Sequence, residues 1–211
     1  EIKLNEENED YLKWIFTNDG VVCVVSNIQL SQFLNIIPPS VSEMIGRLEK
    51  EGYVETKHYK GARLTKEGLN RTLDIIKRHR LLELFLIEIL QYNWEEVHQE
   101  AEILEHRISD LFVERLDKTL NYPRTCPHGG VIPRDYHYKE LYTTSILEFE
   151  PGDNVIVRRV RDKTDLLVYL SSKDIYIGNT VEIVSKDDTN KVIIITRNEN
   201  VTILSYENSM N

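Results

Sequence analysis

Pro39-Ser40-Val41-Ser42-Glu43-Met44-Ile45-Gly46-Arg47-Leu48-Glu49-Lys50-Glu51-Gly52-Tyr53-Val54-Glu55-Thr56-Lys57 changes its period partway along. Val41, Met44, Ile45 and Leu48 recur at three and four residues, which predicts an amphipathic helix from Pro39 to about Glu51. Proline is well tolerated in a first turn, and Gly52 ends the helix. Residues 53–57 and 62–65 then have strand composition on either side of His58-Tyr59-Lys60-Gly61, a β-hairpin with a basic, aromatic tip. Upstream, residues 6–17 form a helix with Tyr11, Leu12, Ile15 and Phe16 on its apolar face and Asn5 as cap. A turn at Asn18-Asp19-Gly20 follows, then a helix over 28–34, capped by Ser26 or Asn27, with Leu30, Phe33 and Leu34 inward. Helix, helix, turn, helix, hairpin is a winged helix-turn-helix; in one that binds DNA the third helix would enter the major groove with its N-terminal residues at the base edges, the alternative being a protein–protein winged helix with an ordinary surface. Pro39, Ser40 and Ser42 stand there, while Arg47 and Lys50, with Lys60 and Arg63 on the wing, suit phosphates.

The charge distribution agrees. The chain has 211 residues, 41% of them hydrophobic, and a net charge of -9, which argues against a general polyanion binder. Residues 38–72 nevertheless hold seven basic against five acidic side chains, and residues 1–37 only two against six. The two cysteines, Cys23 and Cys126, are too few for a disulfide scaffold, and Cys23 in Val21-Val22-Cys23-Val24-Val25 reads as a small buried hydrophobe. No signal peptide is visible and no apolar run reaches the roughly 20 residues of a membrane span. The expectation is a cytoplasmic protein without membrane contact.

Downstream, Thr65 can cap a long helix over residues 66–91, with more apolar surface (Leu69, Leu73, Ile76, Leu81, Leu84, Phe85, Ile89) than a small winged domain needs. Such a helix predicts a homodimer interface. Trp94 begins the next helix, which contains Val97-His98-Gln99-Glu100-Ala101-Glu102-Ile103-Leu104-Glu105-His106. At 3.6 residues per turn Glu102, Glu105 and His106 share one face, and Val97, Ala101, Ile103 and Leu104 can pack on the other. Two carboxylates and an imidazole at one spot either form a solvated acidic face or hold a divalent cation. A further helix spans 108–120, with Leu111, Phe112 and Leu116 apolar. Residues 121–142 are rich in proline, glycine and aromatics and read as a linker with ordered parts. From about Thr144, strands at 146–149, 154–157, 180–184, 192–196 and 200–206, with a short helix at 165–170, predict a small β-barrel. The fold class is therefore mainly α with a β-barrel.

Taken with these segments, Glu9-Asp10-Tyr11-Leu12, Pro39-Ser40-Val41-Ser42, Leu48-Glu49-Lys50-Glu51-Gly52-Tyr53-Val54, Leu64-Thr65-Lys66-Glu67-Gly68, Arg78-His79-Arg80-Leu81-Leu82-Glu83, Glu102-Ile103-Leu104-Glu105-His106 and Cys126-Pro127-His128-Gly129 are specific in order and spacing. Over essentially the whole chain they resemble the diphtheria-toxin-repressor family of metal-dependent transcriptional repressors, in its manganese-sensing branch. The resemblance implies a winged helix-turn-helix DNA-binding domain (1–72), a helical metal-binding and dimerisation domain (73–142) and an SH3-like, FeoA-type barrel (143–211). It implies a primary metal site of Asp10, Glu102, Glu105 and His106. The iron-sensing branch has sulfur ligands where this chain has Asp10 and Glu102, and oxygen donors suit Mn2+ better, with Fe2+ as the alternative and Zn2+, Cd2+ or Co2+ binding in vitro. It implies a secondary site of His79, Glu83, Cys126 and His128 with an acid from the barrel, Asp162 or Asp165. His98 is a further ligand, a ligand's partner or structural.

The partners expected are double-stranded operator DNA and a second copy of the chain, with no small-molecule substrate and no enzymatic activity. A metallohydrolase using Glu105 as base would need an open coordination position and a substrate cleft, and the sequence has no His-Glu-x-x-His pattern. A winged-helix regulator answering to a small molecule is the other alternative, and it would ignore metal.

Overall fold

The structure is a computed structural model that describes residues 5–57 and 61–209, without the side chain of Phe33. The wing tip with Lys60, and the inward placement of Phe33, lie outside the described residues. The chain divides into two compact units, residues 1–78 with 133–137, and residues 79–132 with 138–211.

In the first unit, α1 (Glu6–Thr17) starts where the Asn5 side chain accepts from the Asn8 amide at 2.8 Å, and it buries Tyr11, Leu12 and Ile15. A turn on the Asp19 carbonyl then takes in Val22 and Cys23. That turn leaves Val22 and Cys23 exposed rather than buried, and only Val25 reaches the core, bridging to Ala62. α2 (Asn27–Leu34) has a reciprocal cap between Ser26 and Gln29. Asn35 turns in the left-handed region, and α3 (Pro38–Lys50) follows with proline in its first turn and Val41, Met44, Ile45 and Leu48 buried. The hairpin β1 (Val54–Lys57) and β2 (Gly61–Leu64) pairs Val54 with Leu64 and closes the same core.

α4 (Lys66–Glu88) is capped by Thr65, whose hydroxyl accepts from the Gly68 amide at 3.0 Å. A Cβ on Gly68 would stand 1.9 Å from the Tyr53 carbonyl oxygen, so glycine lets the helix start against the hairpin. α4 ends at Glu88 rather than 91, before Gln91 turns left-handed.

In the second unit, residues 79–88 of α4 pack with α5 (Val97–Glu105) and α6 (Asp110–Thr119) through Leu81, Leu82, Leu86, Val97, Ala101, Val113 and Leu116. Trp94 lies before α5, not in it. Most apolar residues expected to face a partner from α4 are buried within the chain. Of them Ile89 is exposed, and other exposed apolar residues of this unit include Leu90, Ile103 (66% exposed) on α5, and Leu111 (61%) and Phe112 on α6.

The C-terminal part has β3 (Asn154–Ile156), α7 (Thr164–Ser172), β4 (Thr180–Asp187), β5 (Val192–Arg197), β6 (Asn200–Ser205) and α8 (Tyr206–Ser209). The four strands form one antiparallel sheet in sequence order, with a bulge between Ile183 and Ser185. α7 covers one face with Leu166, Leu167 and Leu170 against Val181, Ile183, Ile193 and Ile195. The expected barrel is not closed: β3 and β6 remain edges of a four-stranded sheet. Residues 146–148, expected as a strand, form a 3-10 turn instead. Ser145 and Glu148 cap each other across it, which satisfies locally the backbone groups that a closing strand would have used.

Candidate metal centres

α5 carries its polar residues in an unexpected order. Val97, Ala101 and Glu105 are the buried face, so Glu105 is turned inward at 1% exposure while Ile103 and Glu102 face out. A buried carboxylate needs partners. Glu105 has His79 Nδ1 at 2.5 Å and His106 Nε2 at 3.3 Å. Glu102 stands 3.6 Å from His98 Nε2. Asp10 lies on α1 of the first unit, half-buried and next to buried Tyr11.

The secondary set converges within the second unit. His79 and Glu83, one turn apart on α4, place His79 Nε2 3.2 Å from Glu83 Oε1. His128 Nδ1 reaches the same oxygen at 3.1 Å. Asp162 Oδ2 stands 3.5 Å from His128 Nδ1 and 3.8 Å from His79 Nε2. Cys126 is buried beside them, and its Sγ, Glu83 and His128 offer donor atoms within 4.8 Å of one another. Asp165 is exposed in the first turn of α7 and does not join. His98, named from the sequence only as an accessory, stands inside the group, with Nδ1 2.7 Å from Asp162 Oδ2 and 3.1 Å from His79 Nε2. Its signal in the sequence was the four-residue step to Glu102, which puts both on one face of α5.

The backbone fixes this arrangement. Cys126 and Gly129 close a tight turn, with the Gly129 amide donating to the Cys126 carbonyl at 3.0 Å and the Cys126 amide to Gly130 at 2.8 Å. The Val160 amide donates to the His128 carbonyl at 3.0 Å, which draws the segment leading to Asp162 alongside. Gly129 has φ +86° and packs so closely that a Cβ would lie 2.0 Å from the Arg158 carbonyl oxygen. Arg80 secures the same loop from α4: its guanidinium donates to the Val131 carbonyl, stacks on Tyr138 and stands 3.4 Å from Glu140. Sequence reading missed Arg80, whose place at the end of the basic run Lys77-Arg78-His79-Arg80 gives no hint of burial. Gly129→Ala is expected to displace the turn and weaken metal binding at this cluster by about tenfold, as losing a group that orients ligands does. Isothermal titration against the parent checks it.

Each imidazole is oriented. The Trp94 carbonyl can only accept, so His128 donates Nε2–H to it at 2.9 Å and turns Nδ1 toward Glu83. Glu105 holds the Nδ1 side of His79, leaving Nε2 for the cluster. A carboxylate or carbonyl behind an imidazole is the usual support of a metal-binding histidine. Glu83 Oε2 and Asp162 Oδ1 are buried with no hydrogen-bond partner. Buried carboxylate oxygens without donors, beside outward-held imidazole protons and a thiol, fit a divalent cation.

Without a cation, protons balance the acids. Burial opposes a charge on His79, but Glu83 together with the hydrogen bonds to Asp162, Glu105 and Glu83 outweighs it and holds its pKa well above the imidazole range. Burial likewise opposes a charge on His128, and the Cys126, Glu83 and Asp162 interactions push its pKa up to about 12. Burial raises the Cys126 thiol, the nearby charge of Glu83 adding to it. Metal must displace these protons, and groups with raised pKa hold them more firmly as pH falls. Apparent metal affinity should therefore rise with pH, by about tenfold per unit for each proton released. Calorimetry at about pH 6.5 and about pH 8 tests this, and an affinity that is flat or falls with pH contradicts it.

Known proteins align with this chain along its length. Residues 3–62 match the N-terminal DNA-binding domain of iron dependent repressors, 65–134 their metal binding and dimerisation domain, and 144–211 the FeoA domain. The iron-dependent repressor IdeR of Mycobacterium leprae is 28% identical over 214 residues, covering 95% of this chain and 93% of that protein. A crystal structure of ScaR with bound Zn2+ has 35% identity and a TM-score of 0.86, covering 97% of this chain and 96% of that one. The manganese regulator SloR has 35% identity and a TM-score of 0.82, covering 96% and 95%. With its DNA-binding, metal-binding and FeoA parts matched in order, the chain belongs to the iron-dependent, or diphtheria-toxin, repressor family of metal-dependent, DNA-binding transcriptional repressors, which are not enzymes.

Proposed function

We propose that the protein is a manganese-dependent repressor of metal-uptake and metal-homeostasis genes, working in the cytoplasm as a dimer on operator DNA. The observation that carries the metal reading is the cluster of buried His79, Glu83, Cys126 and His128 with half-buried Asp162, its proton-bearing nitrogens turned outward and two carboxylate oxygens unpartnered. Manganese as effector follows from the oxygen ligands Asp10 and Glu102 in the resemblance-based primary site, completed by Glu105 and His106. SloR is described as a manganese regulator, and IdeR as iron-dependent, so Fe2+ is the second reading. The boundaries we assign are 1–72 for DNA binding, 73–142 for metal binding and dimerisation, and 143–211 for the SH3-like part. Ile103, Leu111 and Phe112 are the apolar surface we assign to the dimer. Among the described residues no helix is long and apolar enough to cross a membrane.

In this scheme Asp10 belongs to the DNA-binding domain and Glu102, Glu105 and His106 to the dimer core. A bound divalent cation supplies the positive charge that lets these carboxylates converge. Convergence holds two recognition helices at half-sites about 34–36 Å apart, one turn of DNA. The DNA-competent arrangement must then bind metal better, and DNA must tighten metal binding by the same factor. Purified, chelator-stripped protein titrated with each divalent metal in the presence of DNA tests the proposal. DNA binding indifferent to metal would sink it.

The DNA face yields a separate expectation. Pro39, Ser40, Ser42, Arg47 and Lys50 are exposed on α3 and Arg63 is half-buried on β2. Ser42 already donates to the Pro38 carbonyl at 3.1 Å and accepts from Asn27 at 3.0 Å, which leaves Ser40 the freer reader of bases. Arg47 pairs with Glu43 on the surface at 2.9 Å, a contact weak enough to exchange for a phosphate. Arg47→Ala should weaken binding to all sequences and reduce the salt slope by about 0.9. Ser40→Ala should change discrimination among sites instead. Equal effects of both on specific and random DNA would show that α3 is not the reading helix.

A further inference from the structure

Leu166, Leu170, Ile175, Ile195 and Leu204 are core residues of the C-terminal part, yet all five line a cavity of about 470 Å3. Protein interiors are close-packed and hold few voids larger than a water molecule. This cavity is about three times the roughly 150 Å3 of an apolar cavity that takes up benzene, and it falls in the size range of small-molecule sites. Its position follows from the open sheet. β3 contributes Val155, β6 Leu204 and the 3-10 turn Ile146, so the cavity lies along the edges that a closed barrel would have joined. Aliphatic walls hold water poorly, because they give it nothing to hydrogen-bond.

The polar end has one sign. Arg158, Arg159 and Arg161 line the cavity and no acidic residue does, in a chain whose net charge is -9. Arg159 is engaged by Glu140 at 3.2 Å. Arg158 and Arg161 form no ion pair and no side-chain hydrogen bond among the described residues. Arg158 is exposed and Arg161 half-buried, so their charge stands at the mouth rather than in the core. A guanidinium offers two parallel N–H groups that match a carboxylate. The five core residues in the wall are leucine and isoleucine, with no ring among them to stack on a flat ligand, and they suit an alkyl chain.

We propose that this cavity binds a medium-chain fatty acid, its alkyl chain against Leu166, Leu170, Ile195 and Leu204 and its carboxylate on Arg158 and Arg161. The proposal goes beyond the metal-dependent reading and does not need it. Buried methylenes supply the affinity, and the arginines orient the chain and select an anion.

The test uses the full chain, stripped with chelator so that metal plays no part. Calorimetry with butanoate, hexanoate and octanoate should show binding that tightens about fourfold for each added CH2. Octanol, the same chain without the charge, should bind at least about tenfold more weakly than octanoate. Arg158→Gln combined with Arg161→Gln should weaken octanoate to the level of octanol and leave octanol unchanged. Methyl NMR locates the ligand: octanoate should shift the resonances of Ile175, Ile195 and Leu204 and leave those of Leu12 and Ile15 on α1 in place. Cavity methyls that stay fixed at millimolar octanoate overturn the site. Affinity that does not grow with chain length overturns the alkyl part. Equal binding of octanoate and octanol, or an arginine variant that binds octanoate like the parent, overturns the carboxylate end.

Discussion

Glu105→Ala is expected to leave DNA binding at its metal-free level at every Mn2+ concentration. Moving a two-state equilibrium from almost wholly inactive to almost wholly active takes about 5.5 kcal/mol of differential binding, so the loss of one proposed primary ligand should erase most of the activation. Glu105→Ala should in addition disturb the second cluster, because the buried Glu105 carboxylate also holds His79 at 2.5 Å. His106→Ala should lose activation as fully, without disturbing His79. Asp10→Ala should act as strongly from the other unit. The measurement is metal-titrated DNA binding, with circular dichroism for folding and sedimentation for the dimer. An Asp10→Ala protein that answers manganese like the parent would remove the bridge between DNA-binding domain and dimer core as the switch.

Glu83→Ala should have the second large effect, on both metal binding and stability. Its carboxylate is wholly buried and faces His79, His98 and His128. Removing one partner of a buried charged group costs about 3–5 kcal/mol, and the imidazoles can shed protons, which puts the expected loss near the lower figure. Metal binding at this cluster should disappear. Cys126→Ala should do less, lowering metal stoichiometry and softening the activation curve without erasing it, since its thiol is one donor at the edge of the cluster. Denaturant melts of the metal-free proteins and metal counting on the folded ones check both. A Glu83→Ala protein that keeps the parent's stability and metal content would show that the carboxylate is not central.

The two effects trace to different information. The winged helix was legible because its signals are local. Val41, Met44, Ile45 and Leu48 repeat with the helical period, Ser26 and Gln29 stand at capping distance, and the hairpin strands flank a short turn. The open sheet was not legible, because residues 146–149 have strand composition but a serine and a glutamate placed to cap a turn. Burial on α5 was misjudged for a related reason. Periodicity gives the faces of a helix, but which face goes inward depends on what waits there, and His79 on α4 draws Glu105 in while Ile103 is left outside. The residue types for metal binding could be read from the sequence, as could the spacing of His79 to Glu83. Only the tertiary structure brought His98 and Asp162 to the same point, and it leaves Asp165 exposed and outside that group. It does so through backbone contacts, His128 to Val160 and Gly129 against Arg158, between segments far apart in the chain, where no side-chain period reaches.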